Sequence, residues 1–412
     1  MGKSSSRTRA TLGAIALATV GFAVPRATDA QAAETAAPSG GGPGELLTTW
    51  PEEAGVDSAR LVQLSRWIRE NRYDIRSLVV VKGGRIVFER YSAGLDRDAN
   101  YEMYSITKAA TAVLAGQLIA EGKISLDSSV KDVVGGWRPD LKEAVADKGE
   151  VKLRNVLNMT TGLRYDFKPP KDPIYYEAPD RLKLAATTTP ALTPGKVFQY
   201  MDVNPVIATA MLSAASGKKI EDYAEEKLFR PLGMKRYEWV RADEKGLVSG
   251  GWGLRLRAVD MARLGMLALQ GGRWEGGQVV PADWVRQMTS AQSTPFFGYY
   301  WWINNIVEGG VEGGAQQEFD TMGFKGQNIV VLPKHDAVVT MTGMLPVDGG
   351  LRDAKCLQIM RYMMSAYILP AFGVAPSTPD EASKRDLIAE LRAAKDSRGD
   401  PGVDADPTDT PR

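Results

Sequence analysis

Strand patterns stand towards both ends of this chain and helical patterns fill the middle, which restricts the possible folds more than any other feature. Ser77–Lys82 and Arg85–Tyr91 flank Gly83-Gly84. A two-glycine loop accepts the positive φ values of a type I′ turn, so the pattern predicts a hairpin. Strand-like runs return near 298–304, 327–332 and 337–343. Apolar spacing predicts helices over Asp57–Asn71, 105–121 (closed by Gly122), Val206–Ala215 (closed by Gly217), Ile220–Leu228 and Val259–Gln270, and an amphipathic helix over Leu357–Leu369. The expected fold is α+β, an α/β sandwich: an antiparallel β-sheet built from both ends, flanked by helices, with a mostly helical inserted domain. The main domain spans 48–372, with a sheet part at about 48–100 and 246–372 and a helical part at about 101–245. Residues 33–47, ending in Ser39-Gly40-Gly41-Gly42-Pro43-Gly44, read as a flexible linker. Residues 373–412 form a tail, with a short helix starting near Thr378-Pro379 and a partly disordered end.

The chemistry is bounded by rare residues. The chain has one histidine, His335, so a Ser-His-Asp triad, a His-ligated metal site or a Cys-His dyad must use it or not exist. One cysteine, Cys356, excludes an intrachain disulfide and every multi-Cys metal site. Basic and acidic residues nearly balance, 51 against 50, and no basic stripe suggests nucleic acid as a partner. No nucleotide or metal motif is found, so no cofactor and no metal are implied. Lys3, Arg7 and Arg9 precede the apolar run Leu12–Val24, with small-residue cleavage signals at Thr28-Asp29-Ala30 and Ala30-Gln31-Ala32. Residues 1–32 therefore read as a cleavable signal peptide, too short in its apolar part to span a membrane. The expected location is periplasmic or secreted, with no integral membrane segment after cleavage.

A nucleophile candidate lies in Tyr101–Ser125, which contains Ser105-Ile106-Thr107-Lys108. The i, i+3 spacing puts Ser105 and Lys108 one helical turn apart on one face. A serine at a helix start meets unpaired N–H groups and the positive end of the helix dipole. The same spacing recurs at Ser128/Lys131, in a charged stretch, and at Ser216/Lys219, in a helix-ending turn. Only the first match joins an aromatic approach (Tyr101, Tyr104) to a long apolar helix.

With its surroundings, this segment resembles the active-site helix of the serine β-lactamase and penicillin-binding-protein superfamily, whose signature is S-x-x-K. VKLRNVLNMTTGL at 151–163, TPGKVFQYMDVN at 193–204, PADWVRQM at 281–288, YYWWIN at 299–304 and MGFKGQNIVVLP at 322–333 fit the same family in the same order. Within it, the chain is most similar to class C-like members: esterases, D-aminopeptidase-like enzymes and aminohexanoate-dimer (nylon-oligomer) hydrolases. The resemblance implies a β-lactamase/transpeptidase-like fold with Ser105 as nucleophile, Lys108 as its proton partner and Tyr200 completing the set. It also implies an oxyanion hole from the backbone N–H groups of Ser105 and Phe324. Tyr104, Asp202, Asn204, Tyr165, Gly323 and Lys325 are the further substrate-site candidates.

Two departures from the family pattern stand out. Asp202 occupies the place of a frequent Asn, with Asn204 two residues on. A carboxylate beside Lys108 favours its charged form, so either Asp202 points elsewhere or Lys108 stays cationic and Tyr200 does more of the proton transfer. In place of a K-T-G-like triad the chain reads Met322-Gly323-Phe324-Lys325-Gly326-Gln327; Lys325 either substitutes for the triad or faces solvent. The aromatic stretch Tyr165–Tyr176 is either a cleft wall or an ordinary surface loop. Trp301 and Trp302 alternate faces on a strand, so one is expected in the core; the other reads as core ahead of the alternative that it lines the cleft. His335, in Pro333-Lys334-His335-Asp336, reads as a surface turn. The leading reading is an exported serine hydrolase of small-molecule esters or linear amides, of unknown oligomeric state. A β-lactamase or D-Ala-D-Ala carboxypeptidase, and a non-catalytic binding module, are the alternatives.

Overall fold

The computed structural model describes residues 45–167, 172–176, 178–307, 318–348 and 354–401. The expected signal peptide, most of the linker and the last residues of the tail lie outside them. After helix α1 (Ser58–Glu70) comes the hairpin β1 (Ile75–Lys82) and β2 (Arg85–Tyr91), turned by Gly83 and Gly84 at φ 58° and 74°. The chain then runs through β3 (Asn100–Glu102), α2 (Thr107–Ala120), α3 (Val203–Ser216), β4 (Glu238–Trp239), β5 (Leu254–Arg257) and α4 (Ala258–Leu269). It ends with β6 (Trp302–Ile303), β7 (Phe319–Gly323), β8 (Gln327–Leu332), β9 (Ala337–Gly343), α5 (Lys355–Met363) and α6 (Glu381–Lys395).

The main sheet has the order β6-β7-β8-β9-β1-β2. Its central pairing joins the two ends of the sequence: β1 runs antiparallel to β9, with Leu78 opposite Met341 and Val80 opposite Val339. Both faces are covered, which is why β1, β8 and β9 are buried almost without a break rather than at alternate residues. Val79, Val81, Ile329 and Val338 share one core with α2, α3 and α4. Leu78, Val80, Val330 and Met341 share the other with α1 and α5. Gly265 of α4 permits the close approach on the first face, since a Cβ there would stand 2.6 Å from Val338. No helix among the described residues is long and apolar enough to cross a membrane.

Two expectations need correction. The run 298–304 is strand only at Trp302–Ile303, because Tyr300 and Asn304 take left-handed φ values of 64° and 50° that break the pleat on either side. The tail carries a 15-residue helix, α6, capped by Asp380 through the Ser383 N–H at 2.7 Å. This helix packs on α1: Leu387 and Leu391 enter the second core, and buried Glu390 accepts hydrogen bonds from Arg69 and Ser65 at 2.8 Å. Chain as far as α6 therefore belongs to the folded body.

Candidate active site

The site is assembled where the start of α2 meets the end of β7. Ser105 lies in the turn Tyr104–Ile106 that leads into α2. Tyr104 holds φ 46°, a left-handed conformation that costs a bulky residue about 1–3 kcal/mol. The helix behind it is fixed by Trp284, whose indole N–H donates to Ala112 O at 2.8 Å. Gly116 makes room for that ring; a Cβ there would come within 2.0 Å of it.

Lys108 is 1 % exposed. Its ammonium donates to Ser105 Oγ at 2.9 Å, Asp202 Oδ1 at 2.7 Å and Gly251 O at 3.1 Å. Three acceptors match the three donors of a charged lysine. The Tyr200 ring centroid lies 4.9 Å from the same nitrogen. Burial alone would push the lysine pKa down, but the Asp202 carboxylate, aided by Tyr200, outweighs it and holds the pKa above the ordinary lysine value. Of the two arrangements open from sequence, Asp202 points at Lys108, and Lys108 is cationic.

Asp202 reaches the lysine because it caps nothing. It occupies the N-cap position of α3 without a side-chain cap bond. Its second oxygen accepts a short hydrogen bond from the Tyr175 hydroxyl. Burial and this carboxylate both push the Tyr175 pKa up, so the phenol keeps its proton. Tyr175 also packs on Trp252, with centroids 5.6 Å apart. Tyr175 and Gly251 are not among the site residues expected from sequence. The first is visible there only as part of an aromatic stretch. The second stands in Ser249-Gly250-Gly251-Trp252-Gly253, whose glycine content is the available signal. All three glycines of that loop are forced: a Cβ on Gly250 would lie 2.4 Å from Thr209 Oγ1, one on Gly251 2.5 Å from Pro205 Cγ, and one on Gly253 2.7 Å from Val240 O.

The other expected residues divide. Gly323, the last residue of β7, presses against the turn that carries Ser105 so closely that a Cβ would stand 2.3 Å from Met103 O. Phe324 comes next, half exposed, with its ring edge-on to Tyr104 at 5.6 Å. Lys325 is buried rather than solvent-facing, its ammonium 5.6 Å from the Tyr104 ring centroid and 5.5 Å from that of Phe324. Tyr165 donates its hydroxyl to Asp172 and lies beside exposed Phe167; residues 168–171 of that stretch are outside the described ones. Asn204 is a correction. It is fully buried, accepting from Thr161 Oγ1 at 2.9 Å and donating to Met159 Sδ at 3.1 Å, so it is packing, at the start of α3. Trp301 and Trp302 are both buried. Trp301 packs on Phe319, whereas Trp302 stacks behind Tyr200 at 5.8 Å, supporting the site without facing it. His335 sits in the β8–β9 turn, at the opposite end of β8 from the site. Ser128 bonds within its own turn to Ser125, and Ser216 to Ser213 O.

The beta-lactamase family model matches residues 65–350. A 6-aminohexanoate-dimer hydrolase from Paenarthrobacter ureafaciens is 24% identical over 318 residues, covering 70% of this chain and 77% of its own length. The solved structure of EstCE1, a hydrolase with promiscuous acyltransferase activity, superposes with a TM-score of 0.59 at 16% identity, covering 75% of this chain and 99% of its own. An octameric penicillin-binding protein homologue from Pyrococcus abyssi gives 0.57 at 18% identity, covering 76% and 78%.

Proposed function

The chain belongs to the beta-lactamase family, whose members are serine hydrolases, and on that premise we propose that it hydrolyses small esters or linear amides through a Ser105 acyl-enzyme. The observation that carries this reading is the 2.9 Å contact between Ser105 Oγ and the Lys108 ammonium at the head of a buried helix. Because Lys108 is cationic, its role is electrostatic: it stabilises the alkoxide that develops on Ser105. The proton then leaves Ser105 for the Tyr200 hydroxyl oxygen while the Tyr200 proton passes to the departing alcohol or amine. In deacylation the relay reverses, with water supplying the proton that returns to Ser105. Each step conserves charge, and no neutral lysine is needed. The backbone N–H groups of Ser105 and Phe324 are the proposed oxyanion donors.

Ester or linear amide is favoured over a β-lactam by the residue after Gly323. An exposed phenyl ring, Phe324, stands where a polar triad would hold a substrate carboxylate. The 6-aminohexanoate-dimer hydrolase and EstCE1 are named for amide and acyl chemistry of this kind. The test is intact-protein mass spectrometry with a fluorophosphonate, then with p-nitrophenyl esters and penicillins. A single adduct that disappears in Ser105→Ala, with turnover of esters, supports the reading. Turnover of penicillins instead would favour the β-lactamase alternative, and no adduct with any reagent would favour a binding module. Export through residues 1–32 is part of the same proposal and is checked by N-terminal sequencing of the secreted protein.

A further inference from the structure

The aromatic side chains around Tyr200 form more than a scaffold. Phe198 and Tyr200, two residues apart, both pack on Phe297 and Trp302: Phe198 at 5.0 and 6.2 Å, Tyr200 at 6.3 and 5.8 Å. Phe296 closes the group, edge-on to Phe198 at 5.4 Å and stacked on Trp302 at 6.4 Å. Phe297 and Trp302 are buried beneath; Phe198, Tyr200 and Phe296 remain half-buried and show ring surface outward. Half-exposed rings held by a rigid base are a ready binding surface, since covering them recovers apolar area at little entropic cost.

We propose that this wall is the leaving-group site and that it takes an uncharged, aromatic alcohol or amine portion of the substrate. The assignment rests on the function proposed above, in which Tyr200 protonates the leaving group. The departing atom must then lie at the Tyr200 hydroxyl, and the group it carries lies along Phe198 and Phe296. Rings meeting at 86° and 62° leave edges and faces arranged for edge-to-face contact with a further ring. A flexible polar or charged group would gain nothing there and would lose hydration.

The test compares benzyl acetate with 2-methoxyethyl acetate, whose alcohols have similar acidity and whose acyl-enzymes are identical, so that the ratio of kcat/KM values reports the leaving-group side alone. Wild-type enzyme is expected to favour the benzyl ester by about tenfold or more. The ratio should fall towards one in Phe198→Ala and Phe296→Ala, and benzyl alcohol should be the stronger competitive inhibitor. Phe198→Leu, which keeps apolar volume, guards against a folding defect and should give an intermediate ratio. Equal kcat/KM values in wild type, or a preference that survives both alanine variants, overturns the proposal while Ser105 labelling by fluorophosphonate leaves the serine-hydrolase reading standing. Loss of that labelling overturns both.

Discussion

At the residue scale the decisive group is Asp202. A carboxylate 2.7 Å from a buried lysine keeps that lysine charged, which is why the proposed mechanism passes the proton through Tyr200. Replacing Asp202 with Asn removes the charge that opposes desolvation, so the Lys108 pKa falls below its wild-type value. A pH profile of kcat/KM then reads the mechanism directly. If cationic Lys108 is required, the variant loses activity as pH rises through a range where wild type does not; a gain at neutral pH would instead identify neutral lysine as the base. Ser105→Ala is expected to abolish turnover with an unchanged melting temperature. Ser128→Ala and Ser216→Ala should retain wild-type rates, because each hydroxyl serves only its own turn. A dead variant at either position would undo the assignment. The proposed nucleophile, Ser105, is legible in the sequence because an aromatic-to-apolar boundary distinguishes its S-x-x-K from the other two. Tyr175 and Gly251 are not, since nothing in local sequence ties residue 175 or 251 to residue 202 or 108.

At the element scale the site depends on β7 ending hard against the turn that precedes α2. Gly323→Ala puts a methyl group 2.3 Å from Met103 O, and the backbone on one side must give way. The expected outcome is a loss of about 1–3 kcal/mol in stability together with a larger fall in kcat than in substrate affinity. Denaturant melts alongside steady-state kinetics check both halves of this statement. Local contacts also explain why the hairpin and helices are readable from sequence. Gly83-Gly84, the apolar spacing of α1 and the continuous apolar run of α2 act within a few residues. The run 298–304 reads as a longer strand than it forms because it carries strand-forming aromatics, and only tertiary packing holds Tyr300 and Asn304 in left-handed conformations.

At the scale of the whole molecule the body extends through α6 and carries a buried acidic pair. Truncation after Pro376 removes Leu387 and Leu391 from the second core, a loss of about 3–6 kcal/mol that calorimetry would detect as a lower Tm. Glu318, just before β7, and Asp320, within it, are both fully buried, with Glu318 accepting from Ile306 N at 2.9 Å. Burial raises both pKa values, Glu318 to about 7, and the neighbouring carboxyl adds to the rise at Asp320. In the unfolded chain Glu318 ionises near its ordinary value, so between there and about pH 7 the folded state binds more protons than the unfolded one. Stability from this pair is therefore highest in acid and falls as pH rises towards 7. Thermal melts from pH 5 to pH 8 should show that fall relative to the Glu318→Gln, Asp320→Asn double variant, and parallel curves would contradict it. The sequence by itself determined the fold class and the sheet built from two distant segments, because these rest on periodicity that local physics reads, and it singled out the Ser105–Lys108 pair among three equal spacings by its aromatic and apolar surroundings. Only the tertiary structure decided that Asp202 holds Lys108 charged, that Asn204 is core and that α6 completes the second face. Those outcomes depend on which distant groups burial brings together, and the free energy of a buried charge is set by its neighbours in space.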